Sequence, residues 1–553
     1  MRSGLPQLIF LGRSLGLGLL TALLLLCAGC QSLVMNRVMK QYPLQPQPLA
    51  ELPHPNRYQQ DFIYLKQLGE EVFPLEDHYF PPEKRHAMEG EILKQLGEPG
   101  CSQETFTSGV RRYLAAFNNQ HAQVMHNPQA ITYTGFYPFR IHYVSNEVYI
   151  ADIAREYDSS IIGRRLTTIN GHPLAEVEDK LTQFAGTEND WVRRTSLEPT
   201  GYSRPDFYRL AGLSSSSSNR LNLEFSDQST VSIAPKWTNG FHWHNGPPPR
   251  HPITDRANHP YDCRFFPEQN FAYLQFNTCF DQAAILDGLR VYCRPWIRPL
   301  VRTWLALEFM RRKPGGLLED IYDPTRPLLK DYLAESIRKM QQLQITNLIL
   351  DLRYNSGGEG ELGKQLIYHL SRRGDLQDTK EFAYNLKVSA YYDPVAARKF
   401  VTSYLKQFGK EPPARQLTES PDNQLPFMDE EVNPKSIFYV APDRPVFGGR
   451  VIVLANQNTA SAASILTSLL QDNDLAVVVG TTTSNNPTGP SGLNPFKLPR
   501  SGMVVSFPIE HFVRARPENG EILHPDFWVE NTLEDELTGR DAAYEKALEL
   551  IQK

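Results

Sequence analysis

Four short apolar runs in the C-terminal half constrain this chain more than any other feature. They are Phe271-Ala-Tyr-Leu-Gln-Phe, Asn347-Leu-Ile-Leu-Asp-Leu, Arg450-Val-Ile-Val-Leu-Ala and Leu475-Ala-Val-Val-Val-Gly. Each has the length and the Val/Ile content of a strand buried on both faces, and helical stretches lie between them. A strand that is apolar on both faces must be covered on both, so residues 271–553 are expected to form a mixed sheet wrapped by helices, of the α/β class. The segment 281–330 mixes Arg and Trp in a helical pattern and is expected to be a helical insertion. Residues 372–440 are polar and irregular, and predict a lid or a substrate-facing excursion.

Two further units precede this core. From 58 to about 130 the pattern is helical: Phe62, Leu65, Leu68 and Val72 recur at three- and four-residue steps, and Val110, Tyr113, Leu114 and Phe117 repeat the pattern. From 131 to 235 the pattern turns to β. A strand is expected over 148–153, Asn170-Gly171 has the composition of a hairpin turn, and a helix is expected over 174–184. Strand, Ile-Asn-Gly turn, helix is the order that resembles the second half of a PDZ domain, with Gly135-Phe-Tyr-Pro-Phe as the candidate carboxylate-binding loop. Ser214 to Ser218 is a serine run expected in a solvated loop, and 236–270, rich in Pro and His, reads as a linker. His242 and His244 have no carboxylate or cysteine cluster near them, so neither a metal site nor a cofactor is expected.

The N-terminus reads as an address. Arg2 and Arg13 give positive charge, 15–26 is apolar, and small residues lead to Cys30. The run Leu-Leu-Cys-Ala-Gly-Cys resembles a bacterial lipobox, which implies cleavage before Cys30 and its acylation. Residues 1–30 are then a lipoprotein signal peptide and 31–57, rich in Pro, Gln and Leu, a tether. Gln31, where aspartate would retain a lipoprotein at the inner membrane, points to the outer membrane of a bacterial envelope, facing the periplasm. No other stretch is long and apolar enough to span a bilayer. The formal charge of −5 and the dispersed basic residues give no sign of nucleic acid as a partner. Cys101, Cys263, Cys279 and Cys293 remain, either as disulfides or as buried thiols; spacing alone gives no pairing.

The chemistry concentrates in two segments. In Val451-Ile-Val-Leu-Ala-Asn-Gln-Asn-Thr-Ala-Ser-Ala-Ala-Ser-Ile-Leu a strand ends at Ala455 and a helix begins near Ser461. A serine at a helix N-terminus lies in the field of unpaired amides, although a helix cap is the commoner use of that position. In Asn347-Leu-Ile-Leu-Asp-Leu-Arg-Tyr-Asn-Ser-Gly-Gly-Glu-Gly a strand runs into a glycine turn whose amides can approach a substrate closely. In this order the two segments resemble the catalytic core of the tail-specific (C-terminal processing) serine protease family. Tyr273-Leu-Gln-Phe and His524-Pro-Asp-Phe-Trp-Val are similar to that family too, as are the helical domain and the PDZ-like segment. The resemblance implies a helical N-terminal cap, a PDZ-like module, a ClpP/crotonase-like core, and peptide or protein substrates.

It also implies a choice of design. The family's Ser-Lys members carry a lysine after the later strand; here that stretch is Gly480-Thr-Thr-Thr-Ser-Asn-Asn-Pro-Thr-Gly, and Lys497 lies further on as a strand-edge charge. The tricorn-like Ser-His-Glu branch fits better. Leu114-Ala-Ala-Phe-Asn-Asn-Gln-His-Ala is similar to its histidine run, which makes His121 the base, with Asn119 and Ala122 as departures from the pattern. Arg516-Pro-Glu-Asn-Gly-Glu is similar to its glutamate run, which makes Glu518 the orienting acid, with Glu521 as the alternative. Ser461 is then the nucleophile, and the amides of Gly357, Gly358 and Ala462 the oxyanion hole. A lipid-anchored peptide-binding protein of the same fold without activity, or a serine esterase or amidase, are the competing readings.

Overall fold

The computed structural model describes residues 52, 54–127, 135–144, 147–198, 201–214, 219–236, 241–244, 259–286, 326–371, 378–387, 394–413, 415–420 and 438–552, with isolated positions between them. The signal peptide with Cys30, most of the proposed insertion, Cys293 and the serine run at 215–218 lie outside the described residues.

Three long helices open the described chain, α1 (Arg57–Val72), α2 (Pro82–Gly97) and α3 (Gln103–Ala115), with a single helical turn, Glu76–Tyr79, between the first two. Asn56 caps α1 through a capping box with Gln59, which satisfies amides that a helix start leaves unpaired. Their apolar faces meet around Phe62, Leu65, Leu68, Val110 and Tyr113. That core is closed by Phe496, Val505 and Phe507 from strands β16 and β17, so the helical unit is anchored to the far end of the chain. Strand β1 (Gln123–His126) completes the joint by pairing antiparallel with β17 (Val504–Phe507), which also pairs with β16 (Asn494–Lys497).

The second unit is β-rich, with its own core around Ile150, Ile169, Val177, Leu223 and Phe225. Strands β2 (Phe139–Val144) and β3 (Glu147–Ile153) form a hairpin. Strands β4 (Leu166–Ile169), β5 (His172–Pro173), β6 (Leu221–Phe225) and β7 (Thr230–Ile233) form a second sheet in the order β5-β4-β6-β7. Asn170 and Gly171 both have positive φ, as a two-residue hairpin turn of this kind requires. The helix expected over 174–184 runs Leu174–Thr182 (α4), and α5 (Asp190–Leu197) follows.

The C-terminal half is built on a six-stranded sheet in the order β19-β14-β13-β10-β9-β8, in which β19 is Phe527–Trp528. The four apolar runs are its central neighbours: β9 (Phe271–Phe276), β10 (Asn347–Asp351), β13 (Arg450–Ala455) and β14 (Val477–Gly480), all parallel. Only β8 (Tyr261–Phe266) runs antiparallel to its neighbour, at one edge. Alternate side chains explain the unbroken apolar runs. Leu348, Leu350, Val451 and Val453 face α6 (Leu329–Gln342), α7 (Gly360–Leu370) and α9 (Ala462–Asp472), whereas Ile349, Ile452, Leu454 and Val479 face the C-terminal helix α10 (Ala542–Gln552). In a second sheet of the same half, β12-β11-β18-β15, the strands β15 (Gly489–Ser491) and β18 (Glu510–Val513) extend β11 (Ala383–Lys387) and β12 (Leu417–Glu419). Together with helix α8 (Pro394–Phe408) these belong to the 372–440 excursion, which is therefore not irregular where it is described. The chain is thus a multidomain α/β protein.

Candidate active site

Ser461 occupies the sharp turn between β13 and α9. Its φ of 50° and ψ of −123° place a non-glycine residue in a region that L-residues rarely adopt. It stands at the N-cap position of α9, yet its hydroxyl makes no capping hydrogen bond. The ordinary use of a serine there is therefore absent, and the strained turn presents Oγ at the head of the helix. The turn is held by its backbone: the Ser461 amide donates to Asn485 Oδ1 at 2.7 Å, and the Ala460 amide to the Asn355 carbonyl at 3.0 Å.

His121 comes from the loop between α3 and β1 and is 5% exposed. Its Nε2 lies 3.4 Å from Ser461 Oγ. Its own amide donates to Asn119 Oδ1 at 2.9 Å, so the residue that departs from the family's aspartate helps to fix the loop. Burial pushes the imidazole pKa down to about 4, which keeps the ring neutral and able to accept a proton. The other ring nitrogen, Nδ1, is buried and has no hydrogen-bond partner among the described residues.

The orienting acid expected from the sequence is not there. Glu518 is exposed on a single 3-10 turn, Pro517–Asn519, and does not reach His121. The reason is visible in its neighbours: Arg514 and Asp472 form a buried bidentate pair, and Asn519 Nδ2 and the Arg516 amide also bind Asp472. These bonds fix the loop with the Glu518 side chain in solvent. Glu521 is exposed as well, although its charge is felt at Tyr79, where burial first, then Glu521 and Glu188, raise the phenol pKa.

The glycine turn lies directly against Ser461. A side chain on Gly357 would come within 2.7 Å of Ser461 Cβ and the Ala460 carbonyl, and one on Gly358 within 2.5 Å of the Cys279 carbonyl. Both have positive φ, at 95° and 140°. The two amides differ, however. That of Gly357 donates to Asn355 Oδ1 at 2.9 Å and is engaged, contrary to the role expected of it. Those of Gly358 and Ala462 bind no protein acceptor among the described residues. Of the three amides, those of Gly358 and Ala462 are therefore the ones left available to an acceptor, with Gly357 as the glycine that permits the close approach.

Several residues that the sequence did not mark complete the site. Asn355 is fully buried; it accepts from the Gly357 amide and the Cys279 thiol and donates to the Phe276 carbonyl at 3.1 Å, stapling the glycine turn to β9. Asn485 occupies the stretch where a lysine would stand in the Ser-Lys design and holds the Ser461 amide instead. Lys497 lies on β16, in the sheet beside the helical unit. Asp351 and Arg353 of the Asp-Leu-Arg motif are structural: Arg353 is gripped by Asp351 and by Asp541 at the start of α10. Cys101, Cys263 and Cys279 are free thiols, and among the described residues no group of His, Cys, Asp or Glu could hold a metal.

Residues 327–527, which span β10 to β19 with Ser461 and the glycine turn, match the sequence profile of peptidase family S41. No curated protein matches the chain in sequence. Among solved structures, mature CPAF is similar in fold: TM-score 0.55, 14% identity, with 90% of this chain and 96% of that one covered. The structure of mature CPAF complexed with lactacystin is similar at a TM-score of 0.53 and 15% identity, with 90% and 97% covered. The chain resembles this protease family in fold and in the order of its motifs.

Proposed function

We propose that the chain is a serine endopeptidase, anchored by lipid at Cys30 to a bacterial envelope membrane, and acting on protein or peptide substrates. The observation that carries the reading is the 3.4 Å approach of His121 Nε2 to Ser461 Oγ. The two residues come from different units of the chain, and Ser461 makes no cap that would otherwise explain its strained turn. Ser461 attacks the substrate carbonyl and His121 takes its proton; the amides of Gly358 and Ala462 hold the oxyanion; His121 then protonates the leaving amine. Water resolves the acyl-enzyme by the same route in reverse.

Incubating the purified chain with a fluorophosphonate probe and with a peptide library tests this reading. Labelling at Ser461 together with internal cleavage of peptides is expected. A chain that binds peptides yet neither labels nor cleaves would favour the inactive binding protein, a reading to which the unpartnered Nδ1 of His121 lends weight. The anchor has a separate test: Cys30→Ala should end incorporation of labelled fatty acid, and undiminished incorporation would refute it. Outer-membrane placement follows from Gln31 and is checked by membrane fractionation.

A further inference from the structure

A carboxylate outside the reacting pair ties its two halves together. Glu188 lies in the loop between α4 and α5 of the β-rich unit. Its Oε1 accepts from Asn119 Nδ2 at 3.0 Å, Asn485 Nδ2 at 2.8 Å and the Gln120 amide at 3.4 Å. Its Oε2 accepts from the Asn486 amide at 2.9 Å. Asn119 also binds the His121 amide, and Asn485 the Ser461 amide. One carboxylate is therefore a single side chain removed from the backbone of both the base and the nucleophile.

The rest of the loop reinforces the joint. Asn189 Nδ2 donates to Asn486 Oδ1 at 2.7 Å, and Trp191 Nε1 to Thr481 Oγ1 at 3.2 Å. Gly186 packs against the Asn119 backbone with no room for a Cβ. Among the described residues, every polar contact made by the Glu188 carboxylate is with an N–H donor and none is with a cation, so the site is built for an acceptor. Burial raises the Glu188 pKa to about 7, even though hydrogen bonds from Asn486, Asn485 and Gln120 pull it down.

We infer that Glu188 is a positioning residue for the His121–Ser461 pair, and that through it the β-rich unit sets the register in which base and nucleophile meet. The inference rests on the reading of those two residues as catalytic. Glu188 touches no reacting atom. Its part is to hold the His121 loop and the 481–486 loop to one point, where small displacements cost rate out of proportion to their size. An amide in its place keeps three bonds at one oxygen but turns an N–H toward the Asn486 amide.

The test uses the full mature chain. Glu188→Ala should lower kcat by ~10- to 100-fold, with KM changed less than about twofold, and slow Ser461 acylation by a fluorophosphonate in parallel. Glu188→Gln should recover most of the rate, as a merely structural hole would not allow. If the alanine variant does not fold, Glu188→Asp replaces it: drawing the carboxylate back by one methylene should also lower kcat and leave KM. Equal kcat in wild type and the substituted enzyme overturns the inference, as does Glu188→Gln falling as far as Glu188→Ala. A wild type that neither cleaves nor labels sinks the protease reading instead. In that event hydrogen exchange at the Gln120 and Asn486 amides still decides the positioning role: faster exchange in Glu188→Asp supports it, and unchanged exchange overturns it.

Discussion

His121 Nε2 and Ser461 Oγ lie 3.4 Å apart although 340 residues separate them in sequence. The loop that carries His121 is fixed on both sides, by the α3 core and by the pairing of β1 with β17. The turn that carries Ser461 is fixed by Asn485 and Asn355. Two rigidly held segments thus present a neutral imidazole to an uncapped hydroxyl.

If that pair reacts as a unit, removing either member should cost about as much as removing both. His121→Ala and Ser461→Ala are each expected to lower peptide hydrolysis by ~1,000-fold or more, and the double variant by little further. Lys497→Ala, on a strand of the sheet beside the helical unit, should keep most activity. Steady-state kinetics of the four proteins checks this. An inactive Lys497→Ala beside an active His121→Ala would reverse the assignment.

The parts that the sequence made legible share one cause. Strands β9, β10, β13 and β14 are covered on both faces, so their burial is written as continuous apolar runs. Ser461 and the Gly357-Gly358 turn sit on short motifs at strand ends, where chemistry and spacing coincide. Glu188 was hidden because nothing local distinguishes it: its partners lie 68 to 298 residues away, and each is an ordinary polar side chain or amide. Glu518 misled because the motif fixes the loop's composition, whereas the Arg514–Asp472 pair fixes its direction. The excursion at 372–440 read as irregular because its strands and helix are partly exposed, which dilutes their apolar signal.

The glycine turn gives a prediction that separates space from hydrogen bonding. Gly357→Ala places a methyl within 2.7 Å of Ser461 Cβ and the Ala460 carbonyl, at a φ of 95°. Neither neighbour is the free end of a flexible side chain, so the turn or the nucleophile must shift. A loss of ~100-fold or more in kcat is expected, comparable with removal of an oxyanion donor. Asn355→Ala should lose activity for a related reason, since it frees the Gly357 amide and unstaples the turn from β9. Wild-type turnover in Gly357→Ala would show that the turn does not face the reacting carbonyl.

Burial of His121 sets the acid limit. Its ring titrates at about 4 rather than near the ordinary 6.5, so it stays neutral, and competent as a base, well below neutral pH. The Ser461 acylation rate should therefore fall to zero only as pH drops through about 4. Glu188 takes up a proton nearer pH 7, and its protonated form still accepts at one oxygen, so that step should change the rate only severalfold. For stability the sign is fixed by the same shift. The unfolded ring binds a proton below its ordinary pKa while the folded ring does not, so His121 contributes stability above about 6.5 that is lost as pH falls toward 4. His121→Phe should remove that part of the acid sensitivity in thermal melts; an unchanged pH dependence of Tm would contradict it.

The last prediction concerns the loop that was expected to supply the acid. Arg514 and Asp472 have side chains 1% and 0% exposed, joined by bonds of 2.6 and 3.0 Å. Arg514 also lies within 3.3 to 3.5 Å of the carbonyls of Asn519, Gly520 and Ile522. Removing one member of such a pair leaves a buried charge without its counter-ion, so Asp472→Ala should cost about 3–5 kcal/mol of stability. Replacing both by apolar residues of similar volume, Asp472→Leu with Arg514→Met, should cost much less, because no charge is then stranded. The double change also frees the 514–522 loop from Asp472, whose other bonds to Asn519 and the Arg516 amide are lost with it. Denaturant melts of the single and double variants measure the coupling, which should be favourable and of several kcal/mol. Glu518→Gln is expected to leave both stability and turnover within about twofold of wild type, since the side chain is exposed. A large loss of kcat in Glu518→Gln would mean that the loop swings toward His121 Nδ1 when substrate binds. The cost of breaking the Arg514–Asp472 pair would then appear in KM and kcat together.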